Sequence, residues 1–524
     1  MNGFLKFLKY GLVLIVALLV VGLIVCGCLV LVPGFNIFGV SYVTFDNKTL
    51  EKQIAITEIE EEHVDTVRIN TGLFNVNLNV VDTDEITNGA SQLTLRLKRN
   101  LSGFVVGDEE ARKVDLLTSF DSDGATKLLN ITIKQPQKAW LFPTTTELNM
   151  FMPQTPFGNK NVEIITGSGQ VNVGAIPTKD ASYPNLSIKA LSINSESGPV
   201  NIGCVNFVNP LTITKEKGDI SAYTDLGVNT TISIKSGFGS VSLKGVGSQS
   251  SPKDLVLNNV WNSSVNVNTI YGSLVGEHVV GGNIKIAKLM GEADITNDYA
   301  DFHIGELWSN FKYVANDGLL EISKAYGQLN VDQKGGTIKI GELGNNSRAL
   351  NHVISSGKAS LTVDSLRDSV EATSTDGNIT MVGNKEDNQR VLAVVNSKNG
   401  AVKLTNIDGS VQYQAKDGNS SIYVEYANFV GLNTFLNKSG KIEVVMPYDK
   451  NPAMWVRWET NKSANINLSE YKSTLKLSSA DPKCFVQGGV EYGISINDAN
   501  TSTAEALQIA SQSAEIVVSR KSRV

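Results

Sequence analysis

Any acid–base chemistry in this chain has to be built from few parts. There are four histidines, His63, His278, His303 and His352, set among 52 acidic residues. Cleavage of a polysaccharide needs two carboxyls at a controlled separation, one of them with a perturbed affinity for its proton. No Asp-Asp pair occurs, and no histidine stands in a Gly-His-Gly context. His303, in Asp301-Phe-His-Ile-Gly305, has an acid close by and is the strongest catalytic candidate. The plainer reading, a solvent-facing or hydrogen-bonded strand residue, is preferred.

Other chemistries fare no better. Nucleophile elbows, phosphate-binding loops and paired zinc spacings are absent. Asp121-Ser-Asp-Gly124 opens like a calcium loop but lacks the EF-hand spacing and its final Glu, so it reads as a turn. Gly281-Gly282-Asn283-Ile284 does not match a calcium β-roll repeat. Cys204 and Cys484, the cysteines outside the apolar N-terminal stretch, read as isolated core thiols. Trp455 and Trp458 are spaced to fall on opposite faces of a strand, one for the core; a sugar or partner contact by the other is the lesser reading beside that of a plain strand residue. No catalytic, cofactor-binding or metal-ligating residue is assigned, and a non-enzyme without cofactors is expected.

The elements that would position these residues are repeated. A glycine is followed, two and four positions later, by apolar residues that share one face of a strand. Gly169 precedes Val171 and Val173, Gly198 precedes Val200 and Ile202, and Gly218 precedes Ile220 and Ala222. The rule recurs after Gly239, Gly336, Gly357, Gly377, Gly400 and Gly440. Leu211 to Ala222 shows the unit most plainly: two short alternating runs folded about Gly218. Successive units lie about 20 residues apart, the signature of a stacked repeat. A shorter spacing, at Gly318, Gly327 and Gly336 for example, points to two strand-and-turn units per coil. The expectation is an all-β chain forming a right-handed, parallel β-helix-like solenoid with coils of about 20 residues. Alternation alone does not separate parallel coils from hairpins, so an antiparallel β-sandwich assembly is the alternative.

Ahead of the repeats, Lys6 and Lys9 precede Gly11 to Val32, a run with no charged residue. As a helix it would reach about 33 Å, enough for a bilayer core, and the lysines favour a cytoplasmic N-terminus. One N-terminal transmembrane helix, an uncleaved signal anchor in contact with the lipid bilayer, is expected over 11–32. The rival is a cleaved signal peptide, with Val25-Cys26-Gly27 before Cys28 as a faint lipidation signal; both place the chain outside. The division expected is a cytoplasmic tail at 1–10, the anchor at 11–32, a linker with first strands at 33–63, an N-terminal β region or cap at 64–160, solenoid repeats at 161–445, and a C-terminal β cap with a basic tail at 446–524.

The anchor, the element Val162-Glu-Ile-Ile-Thr-Gly-Ser-Gly169-Gln-Val-Asn-Val and the repeats at 211–222, 373–381 and 439–444 together resemble the bacterial putative-adhesin family of membrane-anchored β-strand-repeat proteins. The resemblance covers about 64–445. It implies an extracytoplasmic solenoid of poorly defined function, with some relatives encoded beside envelope-stress regulators and with no catalytic motif to carry over.

A formal net charge of -6 gives no basic surface for nucleic acid. The reading is a single-pass cell-membrane protein whose C-terminal ectodomain faces outward as an adhesin, cell-surface binder or scaffold. Candidate partners are cell-surface glycans and matrix or envelope proteins. Alternatives are an accessory role in envelope-stress signalling and a β-helix carbohydrate-active enzyme. Asn-x-Ser/Thr sequons such as Asn130, Asn229 and Asn467 arise by chance in a chain this rich in those residues, and Asn and Thr suit the outward positions of stacked strands.

Overall fold

The structure is a computed structural model. It describes residues 15–21, 24, 36–37, 40–45, 49–80, 92–106, 114–135, 139–153, 158–178, 183–344, 351–384, 390–459, 466–467, 486–487, 489–496, 505–511 and 515–522. The described chain is almost entirely β, and its repeats form a parallel β-solenoid. It divides into two compact units, Met1–Thr224 and Asp225–Val524.

In the first unit the glycine rule is obeyed because each glycine-marked strand puts its two apolar residues inside. Val171, Val173, Val200, Ile202 and Ile220 are all buried. Stacking is parallel and in register. Ile131 is matched to Ile69, Ile69 to Ile164, Ile164 to Ile193 and Ile193 to Ile213, a column of five isoleucines through the core. Each such side chain contributes about 1.5–3 kcal/mol when fully buried. This parallel register sets aside the antiparallel sandwich for the repeats.

Sequence order and spatial order part company at the start of this unit. The strand Thr66–Gly72 lies between Thr126–Lys134 on one side and Asn161–Thr166 on the other. Asn75–Val80 likewise lies between Ala139–Met152 and Val171–Val173. The first coil in sequence is therefore second in space. The outer edges are closed by antiparallel partners: Asp115–Asp123 on Thr126–Lys134, and Gln92–Val106 on Ala139–Met152. A parallel edge left open would offer unpaired backbone to any passing strand.

In the second unit each regular coil holds two strands. Phe311–Ala315 turns at Gly318 into Leu319–Ala325, and Leu329–Gln333 begins the next coil. Equivalent residues are 18 apart here, as Asp294 and Lys312 show, and 23 apart further on, as Asp376 and Asn399 show. The coil of about 20 residues thus varies in length along the stack. The inner column Ile286, Ile304, Ile322, Ile340 and Val363 runs in register through it.

The inner face is not wholly apolar. The last inward residue before several turns is polar and buried: Asn297, Gln333, Ser374 and Ser397. These side chains satisfy turn carbonyls that would otherwise be unpaired. Asn297 Nδ2 donates to Ala300 O at 2.8 Å, Ser374 Oγ to Gly377 O at 2.7 Å and Ser397 Oγ to Gly400 O at 3.1 Å.

At its far end this unit also departs from sequence order. Glu505–Ser511 lies between Gly431–Asn437 and Ala453–Glu459, parallel to both. Ile516–Arg520 lies between Ile442–Met446 and Ile466–Asn467. Gly489–Ile496 closes the outer edge of Ala453–Glu459 antiparallel.

The spanning helix expected over 11–32 is not found. Residues 15–21 and 24 are helical, the rest of that span lies outside the described residues, and among the described residues no helix is long and apolar enough to cross a membrane. Cys28 and Cys484 also lie outside the described residues. Cys204 is buried and free.

Candidate functional site

The coils between residues 273 and 343 carry the most chemistry, and their regularity decides how side chains meet. With equivalent residues 18 apart, an outward side chain is a neighbour of the same position one coil on, about 4.8 Å away. Two surfaces result.

On the surface of the first strand of each coil, two outward columns flank an open groove of about 480 Å³. One column is Ser273, Glu292, Asn310 and Gln328; the other contains Asp294, Lys312 and Asn330, in strand register. Lys312 Nζ donates to both oxygens of Asp294, at 3.2 and 2.9 Å. Asn310 Nδ2 donates to Glu292 Oε1 at 3.1 Å. The floor is formed by Leu274, Ala293 and Phe311 beneath the backbone.

The corner that leads into these strands is aromatic. Trp308 is 42% exposed and lies two residues before Asn310. Its ring meets Tyr326 of the following coil at 4.5 Å between centroids, tilted by 50°. Lys288 Nζ lies 5.2 Å from the Trp308 ring, and Trp308 Nε1 donates to Glu306 Oε2 at 3.0 Å. Those contacts restrain the indole at the corner. The Glu306 carboxyl is held below the usual range, first by the Trp308 bond.

On the second strand of each coil lies the column Lys285, His303, Glu321 and Lys339. His303 Nδ1 and Glu321 Oε2 are 2.9 Å apart, and Lys339 Nζ donates to Glu321 Oε1 at 2.9 Å. Lys339 and His303 together hold the Glu321 carboxyl below its usual range. Gly305, between the two charged columns, permits this geometry: a Cβ there would stand 2.4 Å from Ala287 O. Beside it runs Lys288, Glu306, Lys324 and Glu342, alternating in sign.

The structure therefore gives His303 a carboxylate partner, but not the nearby acid in sequence. Asp301 Oδ1 accepts the Leu319 N–H, and the histidine's partner comes from the next coil. The remaining histidines do not gather with it. His63 and His278 sit exposed on left-handed backbone, at φ 52° and 54°. His352 is fully buried, its Nδ1 accepting the Leu329 N–H at 3.1 Å and its Nε2 3.9 Å from Asp368 Oδ2. Asp121 to Gly124 is the end of a hairpin, with Asp123 matched to Thr126 and Gly124 at φ 62°. Trp455 is half-buried between the fully buried Met454 and Val456; the side chain of Trp458 is outside the described residues.

Asn310, Gln328 and Asn330 carry no catalytic signature, so a search for reactive residues passes over them. The signal that bears on them is the nine-residue glycine spacing at Gly318, Gly327 and Gly336, two of which make the 18-residue coil that stacks these positions.

No family model matches the chain, and no curated protein matches it either. Among solved structures, a putative cell adhesion protein from Clostridium sporogenes aligns over 49% of this chain and 100% of its own, at 11% identity and a TM-score of 0.22. A putative adhesin from Parabacteroides merdae aligns over 73% of this chain and 97% of its own, at 11% identity and a TM-score of 0.18. A putative lipid binding protein from Parabacteroides distasonis aligns over 76% and 97%, at 12% identity and a TM-score of 0.18. Alignments at these scores carry no argument for fold or function.

Proposed function

We propose that this chain is a membrane-anchored, outward-facing solenoid that works by binding and not by catalysis. The observation that carries the reading is the pairing of its reactive side chains along the stack. His303 and Lys339 both bond to Glu321, and the Glu321 carboxyl is held below its usual range. A general acid needs the opposite shift. Between the columns on the other surface, the groove at Ser273 to Asn330 remains open to a ligand.

The anchoring part of this reading rests on the uncharged run from Gly11 to Val32, of which residues 15–21 and 24 are described and helical. Ile15, Val16, Leu18, Leu19, Val20, Val21 and Ile24 are 48 to 63% exposed, on every side of the helix. Water is a poor solvent for such a surface, and a bilayer is a good one. Lys6 and Lys9 on its short side favour an N-terminus in the cytoplasm and an ectodomain outside. Cell-surface glycans and matrix or envelope proteins are the partner classes this placement would meet.

The test is a binding screen of the full-length chain in detergent against immobilised glycans and matrix proteins, with released sugar measured in the same wells. Saturable binding without product is expected. Product release would overturn the non-catalytic reading, and silence in both channels would overturn binding as the function.

A further inference from the structure

The geometry points to the groove between Ser273 and Asn330 as a subsite for an extended, uncharged glycan chain. This inference rests on the binding function proposed above and names its ligand. Four features on the same coils carry it.

The first is shape. The groove is open and runs across successive coils, so it suits a chain laid along the stack and not a compact molecule enclosed on all sides. The second is hydrogen-bonding capacity. Asn310, Gln328 and Asn330 are exposed primary amides on adjacent coils. An amide offers both donors and acceptors, the combination a sugar hydroxyl also presents. Gln328 Nε2 donates to Asn351 O at 2.8 Å and Asn310 Nδ2 to Glu292 Oε1, which restrains both exposed side chains at the groove.

The third is charge. The lining contains Glu292, Asp294 and a single cation, Lys312, which is itself bonded to Asp294. An acidic polysaccharide or a phosphate would meet a surplus of negative charge and no free cation there, so the complement is a neutral chain. The fourth is the aromatic corner. Sugar rings present an apolar face, and exposed aromatic side chains beside polar groups are what recognises one. Trp308, 42% exposed and braced by Glu306 and Tyr326, stands just ahead of Asn310 and of the strand that carries Lys312.

The experiment is calorimetric titration of the full-length chain in detergent with three neutral probes, the tetramers of N-acetylglucosamine, β-linked glucose and mannose, and with tetragalacturonate as the anionic comparison. At least one neutral tetramer is expected to saturate, with tetragalacturonate at least tenfold weaker. Asn310→Ala and Asn330→Ala are each expected to weaken that binding at least tenfold, and Lys339→Ala, on the other strand of the coil, to leave it unchanged. All three positions are at the surface, and matching circular dichroism melts check that folding is retained. Neutral-sugar binding that neither groove variant weakens would overturn the site. Tetragalacturonate binding as tightly as the neutral tetramers would overturn the ligand class. If no neutral tetramer saturates while a matrix protein does in the screen, the groove assignment falls and the binding function stands. If nothing saturates in either experiment, both fall.

Discussion

Val444 is matched across the sheet to Val518, not to the strand that follows it in sequence. The strands Glu505–Ser511 and Ile516–Arg520 are thereby slotted between two coils. The first completes the hydrogen bonding of Gly431–Asn437 on one side and of Ala453–Glu459 on the other. Their Leu507, Ile509, Ile516 and Val518 are fully buried or nearly so. At about 1.5–3 kcal/mol each, these four side chains contribute about 6–12 kcal/mol. Deleting residues 503–524 is therefore expected to melt the coils on both sides of the gap. Hydrogen exchange should show loss of protection at 431–446 and 453–459 and retention at 293–343. A peptide of residues 503–522 added in trans should restore protection, because the vacated slot presents two open parallel edges. Unchanged protection in the deletion variant would show that these two strands are not structural.

In the first unit, stability should depend on an asparagine ladder. Asn201 Nδ2 donates to Asn172 Oδ1 at 2.8 Å, Asn172 Nδ2 to Asn77 Oδ1 at 2.7 Å, and Asn77 Nδ2 to Asn149 Oδ1 at 2.9 Å. Each inner amide donates to one neighbour and accepts from another, and such chains reinforce one another. Asn172→Ala removes a donor and an acceptor from the middle and should cost about 1–3 kcal/mol. Asn201→Ala, at the end, removes one bond and should cost about 0.5–1.5 kcal/mol. Urea unfolding of the two variants checks the order; equal costs would mean the ladder is a set of independent pairs.

What was legible in the sequence was local. The glycine rule placed Val171, Val173, Ile338, Ile340, Ile442 and Val444 inside, and all are buried, because a period of two needs no knowledge of any partner strand. Which coil stacks on which is a matter of contacts between distant residues, and nothing near Val444 announces Val518. The same limit hid the site. The His303–Glu321 contact joins residues 18 apart, whereas the eye finds Asp301. Asn297 and Gln333 are polar, yet both are buried, since a carbonyl inside a tight corner needs a donor.

Two glycines with different surroundings should respond oppositely to the same change. Gly318 has φ +110°, and a Cβ there would lie 2.7 Å from Ala300 O. Gly227 has no positive φ and open space where its Cβ would be. Gly318→Ala is expected to destabilise by about 1–3 kcal/mol through strained backbone. Gly227→Ala is expected to stabilise by about 0.4–1 kcal/mol by narrowing the unfolded ensemble. Thermal melts of the two variants decide the matter, and a Gly318→Ala protein as stable as the parent would refute the close-packed turn.

Lys215 gives the first unit a pH dependence of unusual sign. Its side chain is fully buried, with Nζ donating to Gly198 O and lying 3.4 Å from Ser195 Oγ. Desolvation lowers its pKa from 10.5 to about 8, while Asp219 pulls weakly the other way. Between those two values the unfolded chain holds a proton that the folded chain has released. Stability from this group therefore rises as pH increases from about 8 to 10.5, by no more than about 1.4 kcal/mol per pH unit. Below pH 8 both states are protonated and the contribution is flat, the buried charge being a constant cost. Lys215→Met should remove the rise. It also removes one of the two donors to Gly198 O, the other being Ser195 Oγ, so absolute stability can move either way, and the slope is the quantity to read. Hydrogen exchange at Ile193 and Ile213, measured from pH 7.5 to 10 in parent and variant and corrected for intrinsic rates, follows it. Parallel curves for the two proteins would mean that the Lys215 amine keeps its proton in the folded state.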